Sequence, residues 1–133
     1  MSGRMVRVLL AKFGEGYEED LWRMARNIRD AGEEAIYTES QKPEVIVGGA
    51  IQESVDYIAI AVSPGTDLSL FGRVMEILRE KDATDILVSA GGGLTEEDRA
   101  VLKKTGVQSF FPIGGVHDDL VSWLREHFTD PLA

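Results

Sequence analysis

The feature that most constrains this chain is an alternation: a short apolar run, a glycine-bearing turn, then a stretch with helical periodicity, repeated along its length. Residues 6–11 and 57–62 are nearly continuous apolar runs. A strand covered by helices on both faces of a parallel sheet reads this way, because neither face needs polar residues. After the first run Leu21, Met24, Ala25 and Ile28 recur at helical spacing. Residues 18–31 are therefore expected to form an amphipathic helix, with Gly32 ending it.

The same reading continues downstream. Residues 35–38 are a short strand flanked by charges, as an edge position requires. Residues 42–55 mix strand-forming Val45, Ile46 and Val47 with Gly48 and Gly49. They are expected to be a helix, since Pro43 suits a first helical turn and a parallel sheet demands a crossover there. Residues 57–62 are the third strand, followed by a helix marked by Leu70, Val74, Ile77 and Leu78. Residues 86–88 are the fourth strand. Thr95 and Asp98 open the next helix as a capping box, residues 107–111 are the fifth strand, and Leu120, Val121, Leu124 and Phe128 mark a last helix. Five strand-helix repeats predict an α/β, flavodoxin-like (Rossmann-like) doubly wound sheet, five parallel strands in the order 2-1-3-4-5 with helices on both faces. The 133 residues are expected to be one domain, with 44% hydrophobic residues to supply a core.

Composition narrows the function. The chain has no cysteine, so disulfides and thiolate metal sites are excluded. Only His117 and His127 carry imidazole, which excludes a multi-histidine metal site. A formal charge of -9 opposes nucleic acid and anionic membranes as partners, because both are bound largely through cationic patches. No apolar run reads as a signal peptide or a membrane span, and a cytoplasmic location is expected.

In the order 2-1-3-4-5 the topological switch lies between the first and third strands, and ligands bind in the crevice at the carboxyl ends of the strands. The turns at Gly14-Glu15-Gly16-Tyr17 and Ser63-Pro64-Gly65 should face each other there, with Gly91-Gly92-Gly93 beside them. Glycine lets a ligand approach the backbone closely, and a serine hydroxyl can hydrogen-bond it. A tight turn without any ligand is the competing reading for each.

These turns, with the preceding Ala11-Lys12-Phe13 and the later Phe111-Pro112-Ile113-Gly114, resemble the cobalamin-binding domain of methylmalonyl-CoA mutase and related adenosylcobalamin-dependent isomerases. The likeness spans nearly the whole chain. In that family an Asp-x-His-x-x-Gly motif after the first strand supplies the lower axial ligand to cobalt. A Ser-x-Leu turn follows the third strand, a Gly-Gly pair follows the fourth, and the cofactor's nucleotide tail lies between them. Carried over, Ser63 matches the serine, Gly65 stands where leucine is usual, and Gly91 and Gly92 match the pair. Tyr17 occupies the histidine position, Glu15 lies near the aspartate position, Asp20 replaces the closing glycine, and the loop is one residue shorter.

The resemblance therefore implies cobalamin held by Gly14, Glu15, Gly16, Tyr17, Ser63, Gly65, Gly91, Gly92, Pro112 and Gly114, without histidine ligation, and a barrel-type mutase catalytic chain as partner. A phenol is a poor substitute for imidazole, since removing its proton at pH 7 costs about 4 kcal/mol at roughly 1.4 kcal/mol per pKa unit. No catalytic residue is expected on the chain itself, because the radical chemistry belongs to the cofactor.

Other readings stay open. The fold also suits a regulatory or protein-interaction module that binds no cobalamin. Glu15, Glu18, Glu19 and Asp20 could hold a divalent cation, or simply favour the positive end of a helix dipole. His117 could reach the cleft rim or cap a helix. Trp22 and Trp123 are expected to pack helices on the sheet, and Arg23, Arg26 and Arg29 to form a solvated face. A phosphoacceptor receiver is disfavoured because the third strand ends in Ser63 rather than aspartate. A flavodoxin is disfavoured because the first loop lacks a serine and threonine cluster.

Overall fold

A computed structural model describes residues 5–107, 109–111 and 113. Along them strands and helices alternate: β1 (Arg7–Phe13), α1 (Glu18–Asp30), β2 (Glu34–Tyr37), α2 (Pro43–Gln52), β3 (Tyr57–Val62), α3 (Ser69–Glu80), β4 (Leu87–Gly92), α4 (Glu96–Thr105) and β5 (Ser109–Phe111). The strands form one parallel sheet in the order β2-β1-β3-β4-β5. That is the order the alternation predicts. The last expected helix, with Leu120, Val121, Leu124 and Phe128, lies outside the described residues, as do Pro112, Gly114, His117, Trp123 and His127.

Pleating sends alternate residues of each strand to opposite faces, so a central strand must be apolar on both. Leu9, Ala11 and Phe13 of β1 join Ile58, Ile60 and Val62 of β3 under α2, α3 and α4. Val8 and Leu10 join Tyr57, Ala59 and Ala61 on the face that α1 covers with Leu21, Met24, Ala25 and Ile28. Fully burying a side chain such as Leu21 or Ile28 stabilises by about 1.5–3 kcal/mol.

Helix α2 is the expected crossover, with Pro43 in its first turn. It is shorter than residues 42–55, because Glu53 already caps it and Ser54 turns left-handed. Helix α4 starts at the expected capping box: Asp98 N–H donates to Thr95 Oγ1 and Thr95 N–H to Asp98 Oδ2, each at 3.0 Å. Gly32 follows the C-cap Ala31 at φ 89°, where a left-handed residue closes a helix.

Four differences from the sequence reading concern the strand ends. Strand β1 runs two residues past Ala11, through Lys12 and Phe13, which pair with Ala61 and Val62. Lys12 breaks the apolar run yet is only 9% exposed, because its ammonium pairs with Glu18 at 2.6 Å. Strand β4 runs on through Gly91 and Gly92, paired with Ala61 and Val62, so these two glycines end a strand rather than form the turn after it. Strand β2 sits one residue earlier than expected, and β5 begins at Ser109 instead of residue 107.

Trp22 departs from expectation as well. It is 64% exposed rather than packed between helix and sheet, and leans on Tyr37 of the edge strand with ring centroids 6.1 Å apart. The helix needs only one stripe for the core, and Leu21, Met24, Ala25 and Ile28 supply it.

Candidate functional site

Parallel strands deliver all their carboxyl ends to one side of the sheet, and the three glycine-bearing segments meet there. The first, between β1 and α1, is built from left-handed backbone: Gly14 at φ 90°, Gly16 at φ 93° and Tyr17 at φ 69°. Gly14 and Gly16 adopt this region freely, whereas Tyr17 adopts it against the preference of a side-chain-bearing residue. Tyr17 is also the N-cap of α1 and offers no side-chain cap to the helix.

The first segment is tied down on several sides. Gly14 N–H donates to Gln41 Oε1 at 2.7 Å, and Gln41 Nε2 donates back to the Gly14 carbonyl at 3.0 Å. The Ser63 hydroxyl donates to the carbonyl of Glu15. Lys12 Nζ donates to the Gly16 carbonyl at 3.3 Å and to Glu18 Oε1 at 2.6 Å. The Lys12 hydrogen bond holds the Glu18 carboxyl below the usual glutamate range. Nearby, burial raises the Tyr37 phenol, opposed by the charge of Lys12 and reinforced by those of Glu18 and Glu39.

The second segment follows β3. Thr66 Oγ1 donates to the Ser63 carbonyl at 2.7 Å and Gly65 is left-handed at φ 80°. The third is the end of β4, where Gly93 N–H donates to the Val62 carbonyl at 2.9 Å. The glycines are where the segments touch. A Cβ on Gly14 would lie 2.7 Å from Ser63 Cβ and Oγ and 2.8 Å from Thr66 Oγ1. One on Gly91 would lie 2.5 Å from the Phe111 carbonyl oxygen and 2.7 Å from its ring. One on Gly92 would lie 2.7 Å from the Val62 carbonyl oxygen and 3.1 Å from Cζ and the hydroxyl of Tyr17. One on Gly93 would meet the Pro64 ring at 2.5 Å.

Gly14, Glu15, Gly16, Tyr17, Ser63, Gly65, Gly91 and Gly92 thus lie on segments joined at the strand ends, while Pro112 and Gly114 lie outside the described residues. Sequence reading missed Gln41, which sits after β2 and so at the same end of the sheet, and the Lys12 to Glu18 pair, which the lysine at the end of an apolar run hinted at. The acidic residues after β1 do not gather around a cation: Glu18 is held by Lys12 and Asp20 by Arg23 at 2.8 Å. Among the described residues no cluster of three or more His, Cys, Asp or Glu is placed to hold a metal. Arg23 and Arg29 are engaged as well, Arg29 donating to the Ala35 carbonyl at 3.1 Å.

A separate groove of about 420 Å3 runs between α2 and α3, floored by Val47, Ile51 and Ile77 and edged by Glu44, Arg73, Glu80 and Lys81. It shares no residue with the strand-end segments. Among the described residues no helix is long and apolar enough to cross a membrane.

No protein-family model matches the chain. Over 110 residues it is 40% identical to the 2-hydroxyisobutanoyl-CoA mutase small subunit of Aquincola tertiaricarbonis, with 81% of each chain covered. It is 34% identical over 120 residues to the pivalyl-CoA mutase small subunit of Xanthobacter autotrophicus, covering 89% of this chain and 80% of the relative. It is also 31% identical over 115 residues to methylmalonyl-CoA mutase of Cereibacter sphaeroides, covering 85% of this chain but 16% of that much longer one. Among solved structures the Vibrio cholerae chemotaxis protein CheY4 superposes with a TM-score of 0.72 over 92% of this chain and 98% of that chain. At 14% identity that likeness speaks for the fold alone.

Proposed function

We propose a function that proceeds from one premise: the chain belongs to the family of coenzyme A mutase small subunits. On this reading it is the non-catalytic, cofactor-handling subunit of an adenosylcobalamin-dependent acyl-CoA mutase, working with a larger catalytic chain whose barrel holds the substrate. The observation that carries the reading is the convergence of the three glycine-bearing segments at the strand ends, where an open α/β sheet binds its ligands.

The cobalamin itself fits this cleft poorly as it stands. A Cβ on Gly92 would meet the tip of the Tyr17 ring, one on Gly91 the Phe111 ring and one on Gly93 the Pro64 ring, so the open faces of these glycines are taken up by the chain's own side chains. The Ser63 hydroxyl is already spent on the Glu15 carbonyl. At the position where the family places histidine stands a phenol, a weak ligand at neutral pH. We therefore take cobalt ligation by the protein to be lost in this subunit, and any cobalamin it accepts to be held through backbone and packing contacts. The same filled cleft favours a second reading, in which the chain keeps the fold and the partnership but acts as a cobalamin-free regulatory or interaction module.

Titrating the purified protein with hydroxocobalamin and with adenosylcobalamin, followed by visible spectra and heat of binding, separates the two. Saturable binding without an imidazole-type spectrum is the expected result. Absence of binding by either cobalamin would leave the interaction module standing. Tyr17→His is expected to tighten hydroxocobalamin binding and shift its spectrum towards imidazole coordination. An unchanged spectrum with binding intact would mean that the shortened loop no longer reaches cobalt.

A further inference from the structure

Tyr17 does more than stand where a ligand is missing. The tip of its ring, Cζ and the hydroxyl, stands over the end of β4, 3.1 Å from the position a Cβ on Gly92 would take, and the residue is half-buried against the core on the α1 face. With the tip of the ring that close to the open face of Gly92, no layer is left for a guest between them. The surface most suited to close approach by a ligand is occupied from within.

The backbone around the ring is built unevenly. Gly14 is wedged against Ser63 and Thr66, and its amide and carbonyl are both bonded to Gln41. Around Gly16, by contrast, a Cβ would meet nothing within 4 Å. Next to that open position Tyr17 is held at φ 69°, which a side-chain-bearing residue adopts reluctantly. Rotation about Gly16 and Tyr17 can therefore carry the ring outward and ease the left-handed strain without unseating Gly14. What opposes it is ring packing, the hold of Lys12 on the Gly16 carbonyl and Glu18, the Ser63 hydroxyl on the Glu15 carbonyl, and the Leu21 N–H that donates to the Tyr17 carbonyl at 2.9 Å.

We propose that Tyr17 is an internal gate of the strand-end cleft, its ring occupying the face of Gly92 until rotation at Gly16 and Tyr17 releases it to a nucleotide-bearing ligand. This rests on the reading of the cleft as a ligand slot. A ligand that binds only the open form has its apparent affinity reduced by the fraction of molecules that are open, so removing the ring tightens and speeds binding without adding a contact.

The test compares the intact protein with Tyr17→Gly, which accepts the left-handed backbone but has no ring, and with Tyr17→Phe, which keeps the ring. In the free proteins the Gly92 Hα resonances report the ring directly. They should carry a ring-current shift in the intact protein and in Tyr17→Phe, and lose it in Tyr17→Gly, while resonances of β1 and β3 confirm that each variant is folded. Stopped-flow absorbance with hydroxocobalamin as probe should then show association at least about tenfold faster for Tyr17→Gly than for the other two, the factor expected if no more than about a tenth of the intact protein is open. Gly92 resonances that do not change in Tyr17→Gly, or equal association rates for all three proteins, would overturn the gate while leaving the cleft as a ligand slot. If none of the three binds hydroxocobalamin, the cofactor-handling function fails and the gate fails with it.

Discussion

At Gly91 an added methyl would be 2.5 Å from the Phe111 carbonyl oxygen and 2.7 Å from the Phe111 ring, and the neighbouring β5 would have to move to admit it. Gly91→Ala is expected to destabilise the protein by about 1–3 kcal/mol, the usual cost of overpacking, seen as a lower urea midpoint with an unchanged slope. Gly48 is the opposite case. It lies inside α2, a Cβ there meets nothing within 4 Å, and its φ is not positive. Gly48→Ala should therefore stabilise by about 0.5–1 kcal/mol through helix propensity, measured in the same titration. In the sequence both are one letter inside an apolar stretch. What distinguishes them is whether another segment passes within contact distance, and that is a property of the assembled sheet. Lys12 teaches the same lesson, since a charge that should have ended the strand is kept inside it by a carboxylate six positions on.

Among the elements, α4 is the one whose boundary was most legible and whose burial is thinnest. Thr95 and Asp98 announce its start in the sequence and form the reciprocal cap, yet Leu102 is its only buried residue. With so little packing, the cap carries a larger share of the helix's stability. Thr95→Ala is expected to cost about 1 kcal/mol, and amide exchange should accelerate in α4 while the β1 and β3 amides stay protected. Equal protection in α4 would show that its packing suffices without the cap. Helix α1 reverses the balance: it starts at Tyr17 with no side-chain cap but buries Leu21, Met24, Ala25 and Ile28. Its apolar spacing was sufficient to place it, whereas the left-handed entry at Tyr17 carries no sequence signal and follows from how the loop is pinned by Lys12, Ser63 and Gln41.

For the whole molecule, stability at alkaline pH should hinge on a buried phenol. Tyr57 is inaccessible to solvent at the start of β3, and burial pushes its ionisation far above the ordinary tyrosine range, with hydrogen bonding to Ser89 and Ser109 acting the other way. The folded state thus holds the proton more tightly than the unfolded chain. Its contribution is complete below the ordinary tyrosine pKa of about 10 and is lost as pH rises beyond it. Tyr37, also raised, adds in the same direction. Unfolding free energy measured from neutral pH upward should fall above about pH 10, and Tyr57→Phe should flatten that fall. The fold was readable in advance because a parallel sheet needs strands apolar on both faces and helices apolar on one, and those periods are written locally along the chain. The gathering of the glycine segments followed from strand order alone. Whether they leave a cleft open or close it was decided by tertiary structure, because that depends on where one tyrosine ring rests against a glycine seventy-five residues away, a contact set by three-dimensional proximity and by no local pattern.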